Sequence, residues 1–264
     1  MKVEVNIPTS LDEIPLKRYQ DFIKVQTNSN DEEFIAQKMI EIFCGIDLKD
    51  VVKIKVTDLN DLIQHFTKLF SERPELKRTF KLGQYEFGFI PNLEEITFGE
   101  YVDLESHIQS WENYHKALAV LYRPIKTRKK DNYEIIDYEP NVDFQDLMKF
   151  APLSVAISAT LFFYNLEKEL LVATMNFLQR EMKKSKATLA TLPNADNSIK
   201  DGVGMEAYMQ SLKETLQSLT KLQDLDLLNV SPILLSKSKK TKSKQTNLKN
   251  NIENDRILQP TIED

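Results

Sequence analysis

One pattern is written twice in this chain of 264 residues, about 82 positions apart. The first copy runs Ile7-Pro8-Thr9-Ser10-Leu11-Asp12-Glu13-Ile14-Pro15 and on through Tyr19, Asp21 and Phe22. The second runs Ile90-Pro91-Asn92-Leu93-Glu94-Glu95-Ile96-Thr97 and on through Tyr101, Asp103 and Leu104. Self-similarity at a fixed spacing constrains architecture before any single residue does, because each copy carries the same local instructions. A duplicated N-terminal region is the expectation. The repetition also bears on chemistry. Tyr101 and Asp103 alone would pass for site residues, but their counterparts Tyr19 and Asp21 point to parts of a scaffold.

Local periodicity fills in the units. Val3, Val5 and Ile7 alternate with Lys2, Glu4 and Asn6, the period-two signature of a half-buried strand. Pro15 suits the first position of a helix carrying Leu16, Tyr19, Phe22 and Ile23. A second helix is expected from about Asp31 to Cys44, with Gly45 past its end. A short strand follows at Val51 to Val56, then a helix capped by Thr57-Asp58 with Leu59, Leu62, Ile63, Phe66, Leu69 and Phe70 inward. In the second copy, Phe80 to Ile90 predicts a hairpin turning at Gly83-Gln84. That turn sets Leu82 opposite Tyr85, Phe80 opposite Phe87 and Lys81 opposite Glu86. Thr97 and Glu100 form a capping box. Trp111 to Tyr122 predicts a helix stopped by Arg123-Pro124. A basic turn (Lys126, Arg128, Lys129, Lys130), a strand at Tyr133 to Tyr138 and a helix at Val142 to Phe150 complete the unit. Each copy thus reads strand, helix, helix, strand, helix.

From Leu153 the pattern changes, and one long helix is expected from Pro152 to about Lys184. Its apolar run of about 14 residues falls short of the roughly 20 that cross a bilayer, so no membrane partner is expected. A polar connection at Thr188 to Gly204 leads to Met205, Met209, Leu212, Leu216 and Leu219, spaced as in a helix packing along another helix. The chain is therefore expected to be α+β and mostly helical. Its parts are two related units at 1–78 and 79–151, a helical hairpin region at 152–235 and a basic tail at 236–264.

The net charge of −5 hides an uneven distribution. Residues 236–264 hold seven Lys or Arg against four Asp or Glu, leaving 28 against 36 for the rest. Ser236 to Asn250 contains six lysines and no acids, a composition expected to be disordered alone. Lys237, Lys239, Lys240, Lys242 and Lys244 are the candidate contacts to nucleic acid or an acidic partner, through weak, salt-dependent charge pairing. No aromatic residue interleaves with them to stack on bases.

Catalytic chemistry finds little support. The six glycines are scattered, leaving no phosphate-cradling loop, and no Gly-x-Ser-x-Gly elbow or His-Glu-x-x-His pattern occurs. His65, His107 and His115 lack a ligand spacing, so no metal and no cofactor is expected. The single cysteine, Cys44, sits in an apolar helical run and reads as a small buried hydrophobe. No apolar signal segment opens the chain, which predicts a cytoplasmic origin.

One stretch carries a resemblance. Phe80-Lys81-Leu82-Gly83-Gln84-Tyr85-Glu86-Phe87-Gly88-Phe89-Ile90-Pro91, followed by Ile96-Thr97-Phe98-Gly99-Glu100-Tyr101-Val102-Asp103-Leu104-Glu105, resembles uncharacterised proteins of tailed bacteriophages, including crAss-like phages. The resemblance covers about residues 1–150, and its motif is structural, so no active-site residue comes with it. It implies a virion or morphogenesis component made in the host cytoplasm. Its partners would be capsid, portal or tail proteins, and it would be packaged as cargo or held near the portal. A soluble tail-assembly chaperone is the nearest alternative. A nucleic-acid-binding protein acting through the lysine tail is the other.

Overall fold

A computed structural model describes residues 5–130, 132–189 and 202–223. Helices dominate, and a small antiparallel sheet of four strands, ordered β1-β2-β3-β4, lies among them. The α+β, mostly helical architecture is as expected. All described residues fall within the compact unit Met1–Ile233; the remainder, Leu234–Asp264, lies outside them.

Among the described residues, the first part of the chain is built from helices. After a 3-10 turn at Leu11–Glu13 come α1 (Leu16–Asn28), α2 (Glu32–Cys44), α3 (Leu48–Val51) and α4 (Val56–Phe70). Asp31 caps α2, its carboxylate accepting the N–H groups of Glu33 and Phe34, and Gly45 closes the helix in the left-handed region at φ 67°. Both ends follow from sequence chemistry, since a short acid satisfies orphan donors and glycine tolerates positive φ.

Four local expectations fail here. Residues 5–9 form no strand, and the start of the Lys2–Ile7 prediction lies outside the described residues. The strand expected at Val51–Val56 is instead the end of α3, a turn and the start of α4. Val51 is buried while Val52 is 62% exposed, and the local bonds Val51 N–H to Asp47 O (3.1 Å) and Val52 N–H to Leu48 O (3.1 Å) satisfy the backbone. A strand there would need a partner to do so. Lys55, not Thr57-Asp58, occupies the cap of α4, and Pro15 occupies the cap of α1 instead of its first turn.

The strands belong to the second copy. β1 (Thr79–Leu82) and β2 (Tyr85–Phe89) form the expected hairpin, with Leu82 opposite Tyr85, Phe80 opposite Phe87 and Lys81 opposite Glu86. Gly83 takes φ 59° at the turn, a value that costs a residue without Cβ little. A 3-10 turn at Leu93–Glu95 leads to α5 (Phe98–Ile108), which opens on the Thr97–Glu100 capping box. The helix expected at Trp111–Tyr122 divides into a 3-10 turn at Trp111–Asn113 and α6 (Tyr114–Leu121).

β3 (Tyr122–Lys129) then absorbs both Arg123-Pro124 and most of the expected basic turn, and pairs with β4 (Asn132–Ile135). Sheet pairing on both sides of β3 explains the correction, because β2 supplies one ladder and β4 the other. Only Lys130, at φ 56°, turns. α7 (Val142–Met148) follows. The order strand, helix, helix, strand, helix is adopted by the second copy, with a pair of strands at each strand position, whereas the first copy shows helices alone among the described residues. What the copies share is a 3-10 turn running into a helix at each template.

One apolar core draws on both copies. Tyr19, Phe22, Phe43, Phe66 and Phe70 pack ring against ring at 5.2 to 5.8 Å from the α1, α2 and α4 side. Phe80, Phe87, Phe89 and Tyr122 do so from the sheet. Each fully buried ring contributes about 1.5–3 kcal/mol relative to exposure. α8 (Leu153–Leu189) drives its first turns into this core, where Val155, Ala156, Ile157 and Ala159 are buried. Farther along, α8 packs against α9 (Gly202–Gln223), burying Met209 and Leu212. Among the described residues, no helix is long and apolar enough to cross a membrane.

Candidate functional site

The aligned residues of the two templates meet different surroundings. Tyr19 is buried, its ring edge-on to Trp111 at 4.9 Å, whereas Tyr101 is 51% exposed. Asp21 forms an exposed pair with Lys17 one turn earlier (2.6 Å), whereas Asp103 accepts the hydroxyl proton of Tyr138. Repetition in sequence does not extend to repetition of environment.

Around Asp103 lies a cluster of polar side chains. The Arg123 guanidinium meets a Glu100 carboxylate oxygen at 2.7 Å, both side chains nearly buried, and the other Glu100 oxygen accepts the Thr97 N–H at 2.7 Å. Arg123 also lies 5.8 Å from the centre of the Tyr138 ring. Burial raises the Tyr138 phenol well above its ordinary range, and its hydrogen bond to Asp103 with the charges of Asp103 and Glu100 raises it further. A phenol so held stays protonated and is no base. Both Glu100 oxygens are occupied by structural partners. The adjoining cleft, lined in part by Tyr138, Asn141 and Phe144, holds about 70 Å³, too little for a substrate-sized ligand. The cluster acts as a clamp that fastens the start of α5 to β3 and the segment after β4.

The three histidines stand apart. His65 donates from Nε2 to the Pro8 carbonyl at 2.8 Å. His107 sits in the last turn of α5. His115 is buried beside Gln20, whose amide nitrogen lies 3.0 Å from Nδ1 and also donates to the carbonyls of Trp111 (2.8 Å) and Glu112 (3.0 Å). The amide nitrogen only donates, so a bond to Nδ1 calls for the neutral ring, whose Nδ1 can accept. Burial lowers its pKa to about 4, helped by the charges of Lys149 and Lys116. Among the described residues, no group of three His, Cys, Asp or Glu side chains is arranged to hold a metal ion. Burial pushes the Cys44 thiol up to about 11, against the opposing charge of Arg18, leaving a poor nucleophile.

An open cleft of about 820 Å³ lies beside Val5, Ile7, Ile54, Leu62 and His65, with Asp50, Lys53, Asp58 and Asp61 at its rim. Its one imidazole is bound to the Pro8 carbonyl and its Asp50 is paired with Lys53 at 2.8 Å.

Exposed apolar side chains form two faces instead. On α8, Leu166, Leu170, Ala173 and Phe177 recur at steps of four, three and four, the spacing of a helix-packing seam, and all are exposed. Neighbouring Leu171, Met175 and Leu178 are half-buried. On α5, Phe98, Tyr101 and Val102 form a second exposed face. The α8 stripe was legible as spacing, but it is masked in the sequence by the apolar run before it. Lys237, Lys239, Lys240, Lys242 and Lys244 lie outside the described residues. No family model, curated protein or solved structure matches the chain, so its own geometry and surface are what argue its function.

Proposed function

We propose that this chain is a non-enzymatic structural or assembly protein of a tailed bacteriophage. It binds other phage proteins, and is packaged in the capsid as cargo or held near the portal. The observation that carries the binding role is the exposed stripe Leu166-Leu170-Ala173-Phe177 on α8, an apolar helix seam with the spacing that packs against another helix. The phage assignment rests on the likeness of the Phe80–Glu105 stretch to phage proteins. The polar clusters are consumed by internal partners, which leaves surfaces to do the work.

Mass spectrometry of purified particles tests the reading. The chain is expected in mature virions, and the pair Leu170→Asp with Phe177→Asp is expected to lower its incorporation while leaving helix content unchanged. Absence from mature particles would sink the packaged-component version and favour a chaperone that leaves before completion.

A further inference from the structure

The two sides of α8 differ in cover and in charge. On one side Leu171, Met175, Leu178 and Met182 recur at steps of four, three and four and are half-buried, and α9 packs along the helix. On the other, Leu166, Leu170, Ala173 and Phe177 follow the same steps in the open, with Leu170 66% and Phe177 62% exposed. Charge is graded along this open side. Glu167 and Glu169 stand at its start, and Arg180 and Lys183 at its end, all four exposed. The opposite charges interspersed among them, Lys168 and Glu181, are half-buried, and Glu181 is paired with Lys184 at 2.7 Å.

We propose that the helix seated on this seam is α8 of a second copy of the chain, running antiparallel. A symmetric antiparallel pair brings the acidic start of one seam against the basic end of the other, and does so twice. Size sets the register. With the Phe177 ring over Ala173 of the second copy, the small side chain makes room for the large one on both sides of the two-fold axis. Glu169 then comes level with a point between Arg180 and Lys183 of the second copy, about 1.5 and 3 Å along the axis from each. All three lie on one flank of the stripe, and an antiparallel two-fold turns that flank toward itself. Leu170 covers the aliphatic stem of Arg180.

A parallel pair fails on both counts. It sets Arg180 beside Arg180 of the second copy, and it faces Ala173 with Ala173, which leaves the centre of the seam unfilled. A helix of another protein would have to match this order of sizes and charges independently, whereas a second copy carries both by symmetry. The inference rests on the docking seam of the proposed function, names its occupant, and makes the dimer the form that is incorporated.

Sedimentation velocity of the purified full-length chain at micromolar concentration tests it. A species of twice 30.7 kDa is expected. Leu170→Asp should weaken the dimer by about tenfold or more, with helix content by circular dichroism unchanged. Charge variants supply the signature of the antiparallel seam. Glu169→Lys makes its three charged positions all basic, and Arg180→Glu with Lys183→Glu makes them all acidic. Each variant alone is expected to self-associate about tenfold more weakly, while an equimolar mixture of the two forms a heterodimer. Glu169 and Arg180 stand about 16 Å apart along one helix, so recovery in the mixture cannot arise within a chain. A chain that stays monomeric, a dimer indifferent to Leu170→Asp, or a mixture that associates no better than its components overturns the proposal. A monomeric chain that still needs Leu170 and Phe177 for incorporation into particles also overturns it, and gives the seam to another phage protein.

Discussion

Position 88 shows how much a single hydrogen atom decides in this fold. Gly88 lies in β2 under the ring of Tyr133, and a Cβ there would sit 2.8 Å from the ring's Cδ2 and 3.1 Å from Ile125 Cγ1. The ring cannot swing away, because its hydroxyl donates to Phe89 O (2.8 Å) and Arg78 O (3.1 Å). Gly88→Ala is therefore expected to destabilise the protein by about 1–3 kcal/mol, read as a lower urea midpoint. Gly99 makes the control. With open space around it in the first turn of α5, Gly99→Ala is expected to leave stability unchanged or raise it by up to about 1 kcal/mol. Both residues stand as plain glycines in the sequence, and only the neighbour across the sheet separates them.

At the scale of elements, ends were more legible than interiors. The caps at Gly45 and Thr97–Glu100 and the turn at Gly83 are local chemistry, satisfied within four residues, and each forms where the sequence places it. Interiors with two consistent readings went astray. Val51–Val56 alternates apolar and basic residues well enough for a strand, yet Val51 and Ile54 also meet at helical spacing, and no strand among the described residues pairs with it to tip the balance. Lys126–Lys130 looks like a turn because it is basic, and all but Lys130 becomes strand because β4 pairs along it.

The capping box allows a graded prediction. Thr97→Ala removes the hydroxyl that accepts the Glu100 N–H, and should cost about 1 kcal/mol. Glu100→Ala also leaves Arg123 buried without its carboxylate, and should cost about 3–5 kcal/mol. Chemical denaturation of the two variants side by side measures the difference. Equal losses would mean that the buried ion pair adds nothing beyond the cap.

Across the whole molecule, long-range polar contacts tie distant segments together, and those of Gln20 join the two copies. Asp12 accepts from Lys77 and Ser154, joining the first 3-10 turn to the approach to β1 and to α8. Arg18 reaches the Phe43 carbonyl at 2.7 Å, and Gln20 reaches the segment at Trp111–His115. That last junction makes stability sensitive to acid. The folded His115 pKa of about 4 lies below the ordinary value of 6.5, so between these pH values the unfolded chain binds a proton that the folded chain refuses. Stability from this group is complete above about pH 6.5 and is lost as pH falls toward 4, by an amount on the order of 3 kcal/mol at most. Thermal melts at pH 7 and pH 4.5 are expected to diverge less for His115→Asn than for the unaltered chain. An identical divergence would remove His115 as the source.

The sequence by itself determined the class of the fold, the caps at Gly45 and Thr97–Glu100, the hairpin and its register, because these rest on interactions among residues close in the chain. It also determined that one template is used twice, at Ile7–Phe22 and Ile90–Leu104. Tertiary structure alone decided what each copy became. The Ile14–Lys17 backbone is clasped by the segment leading into α8 and α1 sinks into the core, while α5 keeps Phe98 and Tyr101 at the surface. Burial depends on which distant segment arrives, and no local pattern encodes an arrival from more than a hundred residues away.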